Sequence, residues 1–381
     1  MLKSIKRRIS RLRILKKKFI LYSVSSFFIL LLILLAQSRA GSDNSLFTSG
    51  TKTKTFTHQG ISRQYDVYLP QGYKKSKAYP LVVALHGSPS GSKEMAEISQ
   101  LNKTADREGF LVLYPQGTGS TLAGQTYGSW NAGSCCGSAK EKKVDDVDFI
   151  SQAIAKTYSD YSVDRRRIYV TGFSNGAQMA YALACSPVSA KIAAIAPVSG
   201  LAPLESIPNC KPLRKIPIIH IHGDQDTCIP VKGGTCGACV NQAVQKVAVS
   251  PTQNPTWACP SLPSYFSDWL KINGLPKKPL KVTDQGPLTC QYYGWSKDNY
   301  SMELCTIEGA GHTWSGGSYG SACRFLLSGS CLVAKKTLGH LESQVSTNNL
   351  MWEFFKAHPK PSLAAITGGY IMGGLWNLFS D

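Results

Sequence analysis

From about Phe56 onward the chain alternates between two hydrophobic patterns. The first is a set of short, unbroken apolar runs rich in β-branched residues, each ending in Gly or Pro. These are YDVYLP (65–70), PLVVALHG (80–87), GFLVLYPQG (109–117), RIYVTG (167–172), KIAAIAPVSG (191–200), PIIHIHG (217–223) and MELCTIEG (302–309). Runs of this length and composition predict buried strands. In the second pattern apolar residues recur three and four positions apart, in VDDVDFISQAIAKTYSDY (144–161), AQMAYALAC (177–185) and YFSDWLKING (265–274), which predicts helices. Apolar strands separated by helices predict an α/β fold with a mostly parallel central sheet covered on both faces. Sites in such sheets form beyond the carboxyl ends of the strands, where the Gly, Ser, Asp and His residues of this chain gather.

Three segments depart from the alternation. Residues 1–40 join a basic run, Lys3 to Lys18, to the apolar stretch Phe19–Ala36 and the small-residue pattern Ser38-Arg39-Ala40. Two readings are open, a cleaved secretory signal and an uncleaved anchor that spans the membrane through 19–36. Both put the domain expected over 41–358 outside the cytoplasm, secreted, periplasmic or extracellular. Residues 232–263 are rich in Gly, Pro, Thr and Asn, carry Cys236, Cys239 and Cys259, and read as a loop insertion. Residues 359–381 form an apolar, glycine-rich tail, expected to pack on the domain.

Charge changes the picture once it is localised. The net charge is +19, but ten Lys/Arg and no acid lie in residues 1–40, so the remainder carries +9. The basic excess thus belongs largely to a targeting segment, and no nucleic-acid partner is expected. The 12 cysteines are many for a cytosolic enzyme and too few for a small disulfide scaffold in 381 residues.

The candidate chemistry begins with G-x-S-x-G, which occurs at 172–176 and at 316–320. Only Ser174 follows a strand and precedes a helix, as a nucleophile elbow requires. Ser318 lies in a Gly/Ser loop with no strand before it. A serine attacks well only when a base takes its proton and a third group orients that base. In this fold the order along the chain is Ser, acid, His. His312, in the glycine-flanked GAGHTW after MELCTIEG, fits the base. Asp224 and Asp226, just past PIIHIHG, both fit the acid, and the residues alone do not separate them. Oxyanion donors are expected from the backbone N–H of Asn175 and from the loop His86-Gly87-Ser88, at Ser88.

These pieces resemble the secreted esterase family of the α/β-hydrolase superfamily that includes polyhydroxybutyrate depolymerase-like proteins and feruloyl and acetylxylan esterases. The resemblance runs from about Phe56 to Pro359, through LHG (85–87), YPQG (114–117), WNAGSCCG (130–137), VDDVDFI (144–150), GFSNGAQMA (172–180), HGDQDTCIP (222–230) and GAGHTW (309–314). It implies the α/β-hydrolase fold and a triad of Ser174, Asp226 and His312, with Asp226 preferred over Asp224. It implies that Cys135-Cys136 lies toward the active-site rim, that His86, Trp130 and Trp314 line the substrate cleft, and that Asp145 and Asp146 sit at a helix start. The expected function is exported serine carboxylic-ester hydrolysis of feruloyl, acetyl or hydroxyalkanoate esters. Such a reaction needs no cofactor and no metal. The absence of an appended binding module within these residues favours soluble or cell-wall-linked esters over solid polyester.

The cysteines allow one rival chemistry, four zinc ligands at Cys228, Cys236, Cys239 and Cys259. In an exported chain with an even cysteine count, disulfides are expected instead, Cys290 with Cys305 and Cys323 with Cys331 among them. Asn102 and Asn299 head glycosylation sequons. Two other functions compete with esterase: a serine peptidase on the same fold, separable by peptide substrates, and a non-catalytic cell-surface binding protein, separable by any turnover at all.

Overall fold

The computed structural model of the protein describes residues 50–122, 125–133, 135–202, 204–207, 210–239, 256–294, 301–323 and 329–361. The expected export segment with its apolar run 19–36, most of the apolar tail, residues 240–255 of the insertion and the sequon residue Asn299 lie outside them. Among the described residues no helix is long and apolar enough to cross a membrane.

The strands in chain order are β1 (Thr51–His58), β2 (Ile61–Tyr68), β3 (Tyr79–Leu85), β4 (Leu111–Pro115), β5 (Thr118–Leu122), β6 (Gln125–Ser129) and β7 (Val163–Phe173). They continue with β8 (Ala194–Val198), β9 (Ile218–Gly223), β10 (Gly234–Cys236), β11 (Trp257–Cys259), β12 (Lys281–Gln285), β13 (Leu288–Tyr293) and β14 (Met302–Ile307). Ten of them form one sheet in the order β1-β2-β4-β3-β7-β8-β9-β14-β13-β12. Its centre, from β4 through β3, β7, β8 and β9 to β14, is parallel. The pairs toward either edge are antiparallel. This is the α/β-hydrolase fold expected from the sequence. Every residue of β3, β4, β8 and β9 is buried, which is why β3, β4 and β8 read as apolar runs; β9 adds the buried His220 and His222.

The helices between the strands cover the sheet. Asp146–Asp160 buries Phe149, Ile150, Ala153, Ile154 and Thr157, one helical face at three- and four-residue spacing. Its N-cap is Asp145, whose carboxylate accepts from the Asp148 N–H at 3.0 Å. Asp146 is drawn inward, where it pairs with Arg63 at 2.7 Å. The helix Asn175–Ala184 is buried on all sides, consistent with its run of small and apolar residues. The chain leaves β3 for β4 on one side and later returns to place β7 on the other. The loops after β3 and β7 therefore diverge and open a crevice at their carboxyl ends.

All twelve cysteines are paired: Cys135–Cys136, Cys185–Cys210, Cys228–Cys239, Cys236–Cys259, Cys290–Cys305 and Cys323–Cys331. The two local pairs expected from sequence form, and the four cysteines of the zinc alternative are consumed in two bridges. In the insertion, β10 and β11 make an antiparallel pair closed by Cys236–Cys259, and Cys228–Cys239 ties it to the loop after β9.

Candidate active site

The carboxyl ends of the central strands lie side by side, with β9 and β14 running two residues past β8. Leu85 of β3 is opposite Gly172 of β7, Phe173 opposite Val198 of β8, and Gly223 of β9 opposite Ile307 of β14. Segments distant in the chain consequently leave the sheet at the same edge, and four of them carry the candidate residues.

Ser174 follows β7 directly and has φ +56° and ψ −117°, a conformation that strains a non-glycine residue. The surroundings hold it there. Its N–H donates to the Val198 carbonyl at 3.0 Å, and its carbonyl accepts from the Ala177 and Gln178 N–H groups at 2.9 and 3.1 Å. The flanking glycines answer to space: a Cβ on Gly172 would stand 2.2 Å from the Gly176 oxygen, and one on Gly176 would stand 2.1 Å from the Leu85 oxygen. The second G-x-S-x-G has a different cause. Ser318 donates its Oγ–H to the Glu97 carbonyl at 2.8 Å and its N–H to that of Ile98 at 2.9 Å, so its loop is docked on the helix Ser92–Ser99.

Of the two aspartates, Asp226 meets His312, with Oδ2 2.8 Å from the ring Nδ1. Asp224 is exposed and accepts from the Gly309 N–H at 2.7 Å, a turn bond within the same loop pair. Asp226 is buried and its other oxygen, Oδ1, accepts the N–H groups of Cys228 and Ile229, both at 2.8 Å. His222 Nε2 lies 3.3 Å from Oδ2. Burial alone would raise the Asp226 carboxyl, but the facing His312 and the hydrogen bonds from His222 and His312 hold it well below the usual carboxylate range. The loop bearing His312 crosses the end of β9 so closely that a Cβ on Gly223 would stand 2.3 Å from the Ala310 oxygen. The His312 ring packs on that of Phe173, the neighbour of Ser174, with centroids 4.8 Å apart.

Ser88, Ser174 and Asn175 line one pocket together with Cys135, Cys136, Cys228, Ile229, Gly237 and Trp257. Asn175 opens its helix, where the first N–H groups have no intrahelical acceptor. Its side chain reaches the facing loop: Oδ1 accepts the Trp130 N–H at 2.7 Å, and Nδ2 donates to the carbonyls of Trp130 at 3.2 Å and Cys135 at 3.4 Å. The Cys135–Cys136 pair is thereby fixed beside Ser174.

His86, Trp130 and Trp314, expected along the cleft, are not among the described lining residues of the pocket at Ser174. All three are closed to solvent and have their ring N–H groups committed inside the protein. Trp130 donates to the His86 carbonyl at 2.8 Å, and Trp314 donates to Asn348 Oδ1 at 3.0 Å. His86 faces the Gly87 carbonyl with Nδ1 at 2.7 Å and accepts the Gly117 N–H on Nε2 at 2.9 Å. Burial lowers its pKa to about 4, so the ring is neutral and structural near neutral pH. The three support the loops, and the aromatic wall of the pocket comes from Trp257 in the insertion, which sequence reasoning passed over. Asn102 is also placed differently from a glycan acceptor, buried with Oδ1 accepting from Tyr114 Oη at 2.8 Å.

Two further groups escaped the sequence reading. Arg63, buried opposite Asp146, helps fix that carboxylate, which accepts the Asn131 N–H at 2.8 Å and so anchors the Trp130–Cys136 loop. His220 and His222, two residues apart on one face of β9, stand behind Asp226. Among the described residues Asp226, Cys228 and His312 have ligand atoms within 4.8 Å of one another. The Cys228 sulfur is bound to Cys239 and the carboxylate is already filled by N–H donors, so this set offers no thiolate to a metal.

The profile of the family described as Esterase PHB depolymerase matches residues 63–207, which contain Ser88, Ser174 and Asn175. Feruloyl esterase B of Piromyces equi is 31% identical over 260 residues, covering 68% of this chain and 44% of that protein. A bifunctional acetylxylan esterase/xylanase of Neocallimastix patriciarum is 29% identical over 244 residues, 60% of this chain and 32% of that protein. The chain thus spans less than half the length of either relative. A solved acetyl xylan esterase from Aspergillus awamori aligns with a TM-score of 0.48 at 16% identity, over 69% of this chain and 94% of that one.

Proposed function

We propose that the chain, which resembles polyhydroxybutyrate depolymerase-like and feruloyl esterase-like proteins, hydrolyses carboxylic esters through a serine acyl-enzyme. His312 takes the Oγ proton as Ser174 attacks the ester carbonyl, and Asp226 holds the imidazole with its free nitrogen available for that proton. The backbone N–H groups of Ser88 and Asn175 receive the developing oxyanion. His312 returns the proton to the leaving alcohol. Water then enters, gives a proton to His312 and releases the acid, restoring Ser174. The observation that carries this reading is the convergence of two constraints at one sheet edge. A serine is held at positive φ in the pocket, and the ring of its neighbour Phe173 packs on a histidine bonded to a buried carboxylate.

The pocket beside Ser174 is walled by sulfur, aliphatic and indole surface, with no charged side chain among its described lining residues. That composition supports neutral esters, of the feruloyl, acetyl or hydroxyalkanoate kind, as substrates. The six disulfides support an oxidising, extracellular setting for the domain. The test is hydrolysis of p-nitrophenyl esters and methyl ferulate by the full chain produced under oxidising conditions, beside Ser174→Ala. Turnover that falls by about 10³-fold or more in the variant supports the assignment. Folded wild-type protein no faster than the variant on every ester tried would overturn it.

A further inference from the structure

Behind the acid, on the side away from His312, runs a buried chain of polar groups with no part in the mechanism above. His222 Nε2 lies 2.8 Å from the Ile229 carbonyl and 3.3 Å from Asp226 Oδ2. Its Nδ1 lies 2.9 Å from His220 Nε2, and His220 Nδ1 lies 2.8 Å from the Tyr181 hydroxyl. All four residues from Tyr181 to Asp226 are buried.

With both imidazoles singly protonated, one assignment of protons satisfies every contact. A carbonyl only accepts, so His222 Nε2 carries the hydrogen facing Ile229. Its Nδ1 must then accept, which puts the hydrogen of His220 on Nε2. His220 Nδ1 in turn accepts from the Tyr181 hydroxyl. Burial, with the neighbouring His222, lowers the His220 pKa well below the ordinary value, and burial raises that of the Tyr181 hydroxyl well above it. Both shifts keep His220 and Tyr181 uncharged. Tyr181 is itself clamped by Tyr265 and Trp269, with ring centroids at 5.0 and 5.2 Å.

We infer that His222 is a positioning residue for the reaction: it shares Asp226 Oδ2 with His312, while His220 and Tyr181 behind it lock its tautomer. The inference rests on the esterase reading above. Oδ1 is filled by two backbone N–H groups and Oδ2 by His312, with the His222 N–H, turned first to the Ile229 carbonyl, as a second and longer contact, so the carboxylate is held in one orientation. Tyr181 sits two turns into the helix that Ser174 begins. The chain therefore couples the nucleophile's helix to the acid's loop. His222 has an electrostatic effect as well. Its N–H draws on the carboxylate's charge and leaves less of it to stabilise a protonated His312. The groups facing one another here are His312, His222 and Asp226, then His220, Tyr181 and Tyr265.

The test compares His222→Phe, which removes both ring nitrogens, with His222→Gln, whose amide can restore a donor near Nε2, and with Tyr181→Phe, which deletes only the far hydroxyl. Steady-state kinetics on a p-nitrophenyl ester are measured from pH 4 to 9, beside wild type and Ser174→Ala. Losing one hydrogen bond to a charged group predicts a fall in kcat of about 10- to 100-fold for His222→Phe, with KM little changed. The acidic limb of kcat/KM moves upward as the full carboxylate charge turns to His312. His222→Gln recovers most of the rate, and Tyr181→Phe shows a smaller loss with the same direction of shift. If His222→Phe does not fold, Tyr181→Phe and His222→Gln carry the comparison. Wild-type kcat and an unmoved acidic limb in every folded variant, with Ser174→Ala inactive, would overturn the positioning role and leave the esterase reading intact. Activity that survives Ser174→Ala would instead overturn the esterase reading.

Discussion

An Asp226→Asn substitution keeps the side chain's volume and inverts the polarity of one of its two arms. In the native site Oδ1 accepts from Cys228 and Ile229 at 2.8 Å, and Oδ2 faces His312 Nδ1 at 2.8 Å and His222 Nε2 at 3.3 Å. The amide can leave its oxygen with the two backbone donors, but its NH₂ then confronts two imidazole N–H groups. Flipping the amide only moves the conflict to Cys228 and Ile229. The cheapest relief is for His312 to shift its proton from Nδ1 to Nε2, so that Nδ1 accepts from the amide. That tautomer has no lone pair for the Ser174 proton. In serine-hydrolase triads the corresponding change lowers kcat by about 10⁴-fold, or about 5 kcal/mol of transition-state stabilisation. The expected result is a loss of that order in kcat with KM within a few-fold of wild type, measured on a p-nitrophenyl ester. Asp224→Asn is the matched control, because an amide oxygen can still accept the Gly309 N–H. A loss below tenfold at Asp226, or equal losses at both positions, would refute the assignment of the acid.

The same carboxylate links stability to pH. Because folding depresses the Asp226 pKa, its contribution is complete above the ordinary Asp value of about 3.9 and is lost as the pH falls through the lower folded value. Wild-type Tm should accordingly fall more steeply than that of Asp226→Asn below about pH 4, and parallel curves would contradict the linkage. Arg63→Ala strands the buried Asp146 carboxylate, and chemical denaturation should show a loss of about 3–5 kcal/mol; a change under 1 kcal/mol would mean the pair is not closed off as described. Trp257→Ala removes the indole wall of the pocket. It should lower kcat/KM about tenfold or more for a bulky aromatic acyl ester and far less for an acetyl ester, and equal effects on both would place Trp257 outside the acyl site.

The central strands were legible because burial on both faces leaves nothing but apolar residues, and the elbow was legible because crowding at Gly172 and Gly176 leaves no room for a side chain. The edges were harder to read. β1 has the mixed, mostly polar sequence TKTKTFTH, and β12 is KVTDQ, largely exposed; neither has an apolar face to announce it. Sequence places three aromatic residues beside Ser174 without fixing which way their rings turn. His86, Trp130 and Trp314 adjoin functional loops in the chain, but whether a ring points into a cleft or under a loop is decided by partners elsewhere, such as Asn348 for Trp314. In PIIHIHG the two-residue spacing does place both histidines on one side of the strand. That Tyr181 waits on that side follows only from how the helix Asn175–Ala184 lies on the sheet.

This division has a physical origin in which parts of the site the sheet controls. Strand-end register puts Phe173, Val198 and Ile221 opposite one another and Gly223 opposite Ile307, and Ser174, Asp226 and His312 follow Phe173, Gly223 and Ile307 by one, three and five residues. So short a lead from a rigid sheet leaves little freedom, and the type of reaction is written in local motifs. The pocket wall is built otherwise, by the Cys135–Cys136 loop held through Asn175 and by the insertion stapled through Cys228–Cys239 and Cys236–Cys259. Its shape depends on cross-links and loop lengths that no strand dictates. A change of insertion could therefore alter which ester fits while leaving Ser174, Asp226 and His312 where they are, and substrate preference should follow the hairpin carrying Trp257 more closely than it follows the strand-end motifs.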